Sequence, residues 1–149
     1  MNRRQMLALL PLTLLAGSRL RAETPTLAVV KDPTCGCCEK WVAHLKANGF
    51  AATVTESSNM DAVKDAKGIP AAMRSCHTAT IDRYVIEGHV PAGDVKRLLQ
   101  DRPAVAGLAV PGMPVGSPGM EIASGRVAPY DVLTFDTAGR TRVFASYGR

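Results

Sequence analysis

The chain has 149 residues, 46% apolar, 21% charged and 5% aromatic, a balance that supports a core of aliphatic side chains and excludes wholesale disorder. Its formal charge of +5 is unevenly spread: of 18 Lys and Arg, Arg3, Arg4, Arg19 and Arg21 precede residue 23, leaving 14 against 13 Asp and Glu. The remainder of the chain lacks the basic footprint of a nucleic-acid binder, and that class is excluded.

Residues 1–22 have the form of a secretory leader. Arg3 and Arg4 make a positive start, Met6 to Gly17 an apolar run, and Leu20-Arg21-Ala22 a cleavage site. The apolar run falls short of the roughly 20 residues that span a bilayer. Cleavage near Ala22 is therefore expected, with no stable membrane anchor, leaving residues 23–149 as one periplasmic domain.

Thr26 to Lys31 is almost wholly apolar and predicts a strand buried on both faces. Cys38, Trp41, Val42 and Leu45 then fall on one helical face, and Asn48-Gly49 supplies a stop. Phe50 to Thr55 predicts a second strand, and Ser58 with Asp61 fits a capping box opening a short helix that Gly68 closes. Thr78 to Ile81 and Tyr84 to Val90 predict a hairpin, although Arg83 suits the tight turn poorly. After Pro91, Val95, Leu98 and Leu99 line a third helix that ends near Arg102-Pro103. The order β-α-β-α-β-β-α is that of a thioredoxin-like α/β domain, and other small mixed sheets share it. Gly107 to Gly119 is too rich in Pro and Gly for regular elements and predicts a loop. Tyr130 to Phe135 and Thr141 to Tyr147 predict a C-terminal β-hairpin.

The four cysteines are the informative feature. Cys35, Cys37 and Cys38 lie within four residues, and Cys76 is distant. Cys35 and Cys38 have redox-pair spacing at the start of a helix, where the dipole favours thiolate. Two purely stabilising disulfides are a poor explanation, because bridges within the triplet close tiny loops and gain little entropy. A closed zinc site is also awkward, since no second separated pair is present. Crowded thiolates can instead bridge several soft ions, and soft sulfur selects Cu(I). Met113 and Met120, in the Pro/Gly loop, add thioether sulfurs of the same preference. Met60 and Met73 are expected in the core, His44 on an exposed helix face, and His89 in a structural hydrogen bond. His77 adjoins Cys76 and is the stronger ligand candidate, while Trp41 is expected to pack helix one on the sheet and shield the sulfurs.

The segments Lys31-Asp-Pro-Thr-Cys35-Gly-Cys37-Cys38-Glu-Lys-Trp41, Gly68-Ile-Pro, Ser75-Cys76-His77-Thr78-Ala79, Tyr84-Val-Ile-Glu-Gly-His89-Val-Pro91, Gly107-Leu-Ala-Val-Pro-Gly-Met113-Pro and Gly116-Ser-Pro-Gly-Met120-Glu121 together resemble the CopG-like periplasmic copper-resistance proteins. The resemblance implies a thioredoxin-like fold that binds a multi-copper cluster through Cys35, Cys37, Cys38 and Cys76. It also implies a role in copper detoxification, with interconversion of Cu(I) and Cu(II) as the candidate oxidoreductase activity. A periplasmic copper donor or acceptor, or a redox partner protein, would then be needed. The competing reading is a metal-independent thiol-disulfide oxidoreductase using Cys35 and Cys38.

Overall fold

Strand β1 (Thr26–Lys31) opens the fold in a computed structural model that describes residues 23–149; the leader expected over 1–22 lies outside the described residues. It is followed by α1 (Gly36–Ala47), β2 (Ala51–Glu56), α2 (Met60–Ala66), a 3-10 turn (Ala71–Met73), β3 (His77–Ile81), β4 (Tyr84–Glu87), α3 (Ala92–Asp101), β5 (Gly107–Ala109), β6 (Tyr130–Phe135) and β7 (Thr141–Tyr147). The seven strands form one sheet in the order β2-β1-β3-β4-β5-β6-β7, giving a single mixed α/β domain. β1 runs parallel to β2 and antiparallel to β3, with Val29 opposite Ala79 and Lys31 opposite His77.

The two sheet faces differ, as the two-residue strand period requires. Leu27, Val29, Ala79, Ile81, Tyr84, Ile86 and Leu108 enter one core with Trp41, Val42 and Leu45 of α1 and Val95 and Leu98 of α3. On the opposite face Ile69, Ala109 and Phe135 form a smaller cluster against which Met73 and Val85 pack. β1 is correspondingly buried on one side only: Leu27, Val29 and Lys31 are buried while Thr26 and Ala28 are exposed. The expectation of burial on both faces fails because β1 lies beside the edge strand β2, where the outer face has little cover.

Several local expectations are corrected by backbone chemistry. Asn59, not Ser58, caps α2, its side chain accepting the Ala62 N–H at 3.1 Å. Asp82, not Arg83, takes the left-handed conformation in the β3–β4 turn, at φ 52°. That leaves the Arg83 guanidinium to donate to Tyr84 Oη and to the carbonyls of Arg102 and Pro103, tying the turn to the end of α3. The segment expected to be loop throughout starts with a strand, β5, that pairs with β4 on one side and β6 on the other. Gly107 is required there, since a Cβ would lie 1.9 Å from the Val85 carbonyl oxygen. β5 thereby joins the C-terminal hairpin β6–β7 to the main sheet.

Candidate metal centre

The cysteine triplet is held by the turn between β1 and α1. Lys31 is buried, and its Nζ donates to the carbonyls of Asp32 and Pro33 and to Glu56 Oε1 at 3.3 Å. Asp32 Oδ1 accepts from the Thr34 N–H and hydroxyl, at 2.8 and 2.6 Å, and the Cys35 N–H donates to the Asp32 carbonyl. These bonds place Cys35 at the N-cap of α1, with Cys37 and Cys38 in its first turn. Cys38 is buried and Cys35 and Cys37 are half-buried.

Cys76 arrives from the other side, one residue before β3. The four sulfurs of Cys35, Cys37, Cys38 and Cys76 lie within 4.8 Å of one another. Cys35 and Cys38 are joined by a disulfide, and Cys37 and Cys76 are free thiols. Cys37 Sγ stands 3.4 Å from Cys35 Sγ, 3.9 Å from Cys76 Sγ and 3.9 Å from Met113 Sδ. Burial, with the neighbouring Cys37 adding to it, pushes the Cys76 thiol up to about 12. Burial thus favours the protonated Cys76 thiol, and a cation beside the sulfur would favour the thiolate.

Two histidines complete the Cys76 side. His89 Nδ1 lies 2.7 Å from the Pro118 carbonyl, which can only accept, so Nδ1 carries the proton and Nε2 is free to accept. Nε2 is 2.9 Å from Cys76 Sγ, so the thiol donates to it. His77 Nδ1 lies 3.3 Å from the same sulfur, its Nε2 is buried with no hydrogen-bond partner among the described residues, and its ring centroid lies 4.2 Å from that of Trp41. Burial lowers both histidines, His77 to about 3, so both are neutral. Cys76, His77 and His89 form a second group whose ligand atoms lie within 4.8 Å of one another. His89 thus has the structural bond expected of it and also touches a cysteine, which its sequence position did not reveal.

The Pro/Gly loop closes over the cluster. The Gly112 N–H donates to the Arg74 carbonyl, and Ser75 Oγ donates to the Gly112 carbonyl. Met113 is half exposed (51%) at the cysteines, whereas Met120 enters the loop through its backbone, its N–H on the Ser117 carbonyl and its carbonyl accepting from Gly116. Gly119 lies so close to α1 that a Cβ would sit 2.8 Å from the Cys37 carbonyl oxygen. A cavity of about 560 Å³ opens beside the site, with Cys35, Cys76, Met113, Met60, Lys64 and Arg74 among its lining. Met60 thus borders the cavity instead of filling the core. His44, expected on an exposed face, is half-buried and accepts the Ala92 N–H at 3.1 Å. The arrangement offers clustered soft donors, a dithiol–disulfide pair and an open approach.

A family model described as a protein of unknown function, DUF411, matches residues 73–120. No curated protein matches the sequence. Two solved structures of a copper resistance protein copG are similar at 46% identity. Form 1 has a TM-score of 0.80, covering 85% of this chain and 100% of that one. Form 2 has a TM-score of 0.79, covering 84% and 99%.

Proposed function

This chain belongs to the CopG-like copper-resistance family, and from that premise we propose that it is an exported copper-binding protein whose cysteine cluster holds Cu(I), more than one ion when all four thiols are free. The observation that carries this reading is the meeting of a remote cysteine with the triplet, all four sulfurs within 4.8 Å. Thiolates at that spacing favour a soft monovalent ion. The leader-like residues 1–22 support export to the periplasm, and no helix among the described residues is long and apolar enough to cross a membrane. The unit from β1 to α3, with its strand order β2-β1-β3-β4, supports the thioredoxin-like reading of the fold. Met113 is a further thioether ligand and Met120 belongs to the covering loop.

The same cysteines supply a redox step. Cys35 and Cys38 as thiols give one electron each to two Cu(II) ions; the sulfur–sulfur bond forms, two Cu(I) ions result and two protons leave. In reverse, two Cu(I) ions return one electron each to the disulfide, which takes up two protons as two Cu(II) ions form; if the Cu(I) is instead passed to an acceptor, a partner dithiol must reduce the bridge and is itself oxidised to a disulfide. Anaerobic purification with copper analysis tests the reading: two or more Cu(I) per reduced chain are expected, and a reduced chain without tight Cu(I) refutes it.

One observation favours a second reading, a metal-independent thiol-disulfide oxidoreductase. Cys35 and Cys38 are already bridged, and the free Cys37 sits 3.4 Å from Cys35. Disulfide reductase activity confined to metal-free protein would support it; activity absent in that form removes it.

A further inference from the structure

The disulfide splits the sulfur cluster into two functional halves. Cys35 and Cys38 have lost their thiolate character to each other, while Cys37 and Cys76 keep free thiols. Beside that free pair stands the thioether of Met113, and Cys37 is 3.9 Å from each of these two sulfurs. Metal–thiolate bonds to a late first-row ion measure about 2.3 Å. Trigonometry then puts three sulfurs around a trigonal ion about 4 Å apart, starting from that bond length. Both edges that meet at Cys37 have this length before any ion is bound. The third corner adjusts easily, since Met113 is half exposed on an unbranched side chain. Two thiolates and a thioether form a donor set suited to Cu(I).

We propose that the disulfide form of the protein keeps a single-ion Cu(I) site made of Cys37, Cys76 and Met113, so that the Cys35–Cys38 bond sets how much copper the chain carries. The bridged chain holds one ion and the reduced chain holds more. This rests on the reading of the cluster as a Cu(I) site and adds its regulation by the internal disulfide. A bridged chain is then a low-capacity carrier that still binds the metal, and thiol–disulfide exchange with a partner dithiol, which takes over the disulfide as Cys35 and Cys38 become two thiols, turns it into a high-capacity one. The thioether matters most in the bridged form, where it is one of three donors; in the reduced form Cys35 and Cys38 supply further thiolates.

The test titrates Cu(I) anaerobically into the protein against a chromophoric Cu(I) chelator, with the Cys35–Cys38 bridge verified by peptide mapping before and after. The bridged protein is expected to bind one ion per chain, and two or more after reduction. Met113→Leu, at an exposed position, is expected to weaken the bridged site by at least about tenfold and the reduced cluster, which has four thiolates, by a smaller factor. Cys37→Ser is expected to abolish the bridged site. The Cys35→Ser/Cys38→Ser double variant keeps Cys37 and Cys76 as its only cysteines, cannot form the bridge, and is expected to bind one ion under reducing conditions. A bridged protein with no tight Cu(I), an unchanged affinity in Met113→Leu, or a bridge found moved to Cys37 overturns the proposal. If the reduced protein binds copper and the bridged protein does not, this inference alone fails; if neither binds, the copper reading fails with it.

Discussion

Lys64 Nζ lies 2.7 Å from Glu87 Oε1, with both side chains buried. The same carboxylate oxygen accepts the Ser75 N–H at 2.7 Å, and the other accepts the Thr78 hydroxyl at 2.7 Å. One ion pair thus connects α2 and β4 to the backbone immediately before Cys76. Replacing Glu87 by Ala strands the Lys64 charge and frees the Ser75 amide, and is expected to cost about 3–5 kcal/mol. Lys64→Met combined with Glu87→Leu removes the stranded charge and should recover much of that loss. Urea unfolding of the metal-free protein measures both; a cost below about 1 kcal/mol for Glu87→Ala would show the pair to be no more than a surface-like contact.

The sole tryptophan, Trp41, is fully buried, donates from Nε1 to the Val90 carbonyl at 2.8 Å, and packs against His77 beside the sulfurs. Copper loading is expected to quench its fluorescence with the same stoichiometry as metal binding. Trp41→Phe keeps most of the apolar volume but orphans the Val90 carbonyl, a loss of about 1–3 kcal/mol. Fluorescence indifferent to copper would separate the binding site from this residue.

Gly119, at φ 90°, is predicted to hold the loop against α1. In Gly119→Ala the new Cβ would meet the Cys37 carbonyl oxygen at 2.8 Å and the Trp41 nitrogen at 2.9 Å, both backbone atoms that cannot swing aside. Gly112, also at positive φ, has nothing among the described residues within 4 Å of such a Cβ. Gly112→Ala should therefore show only the left-handed penalty of roughly 1–2 kcal/mol. Gly119→Ala should cost more and weaken copper binding as well. Equal thermal-melt and titration results for the two variants would refute the docking role of Gly119.

His44 predicts an acid limb of stability. Burial lowers it below its ordinary value of 6.5, with the Glu121 charge opposing part of that shift, and its neutral Nε2 accepts the Ala92 N–H that begins α3. Because the folded value lies below the unfolded one, its contribution is complete above pH 6.5 and is lost as the pH falls through the folded value. His77 and His89, lowered by burial, act in the same direction. Urea unfolding of metal-free protein at pH 7.5 and 5.0 should give a shallower pH dependence for His44→Gln than for the parent, with a cost of about 1 kcal/mol at the higher pH. Identical slopes would place the acid sensitivity elsewhere.

Much of the strand and helix order was readable from local pattern. Trp41, Val42 and Leu45 recur on one face of α1, and the β6 and β7 runs flank Asp136 to Gly139, because period and turn chemistry are written in adjacent residues. β5 was not readable. Its three residues sit in a Pro/Gly run, and only pairing on both sides makes them a strand. The Lys64–Glu87 pair joins residues 23 positions apart in sequence and leaves no local periodic mark.

From the amino acids alone came the donor chemistry: a cysteine triplet, a remote fourth cysteine and thioethers in a Pro/Gly segment, since side-chain softness belongs to the residue type. Only the tertiary structure decided which of these donors meet. It brought Cys76 to Cys37 through the pairing of β3 with β1, bridged Cys35 to Cys38, and set Met113 against Cys37 while Met120 braced the loop. Those choices depend on sheet register and loop docking, which are summed over contacts far apart in the chain and have no signature at any single position.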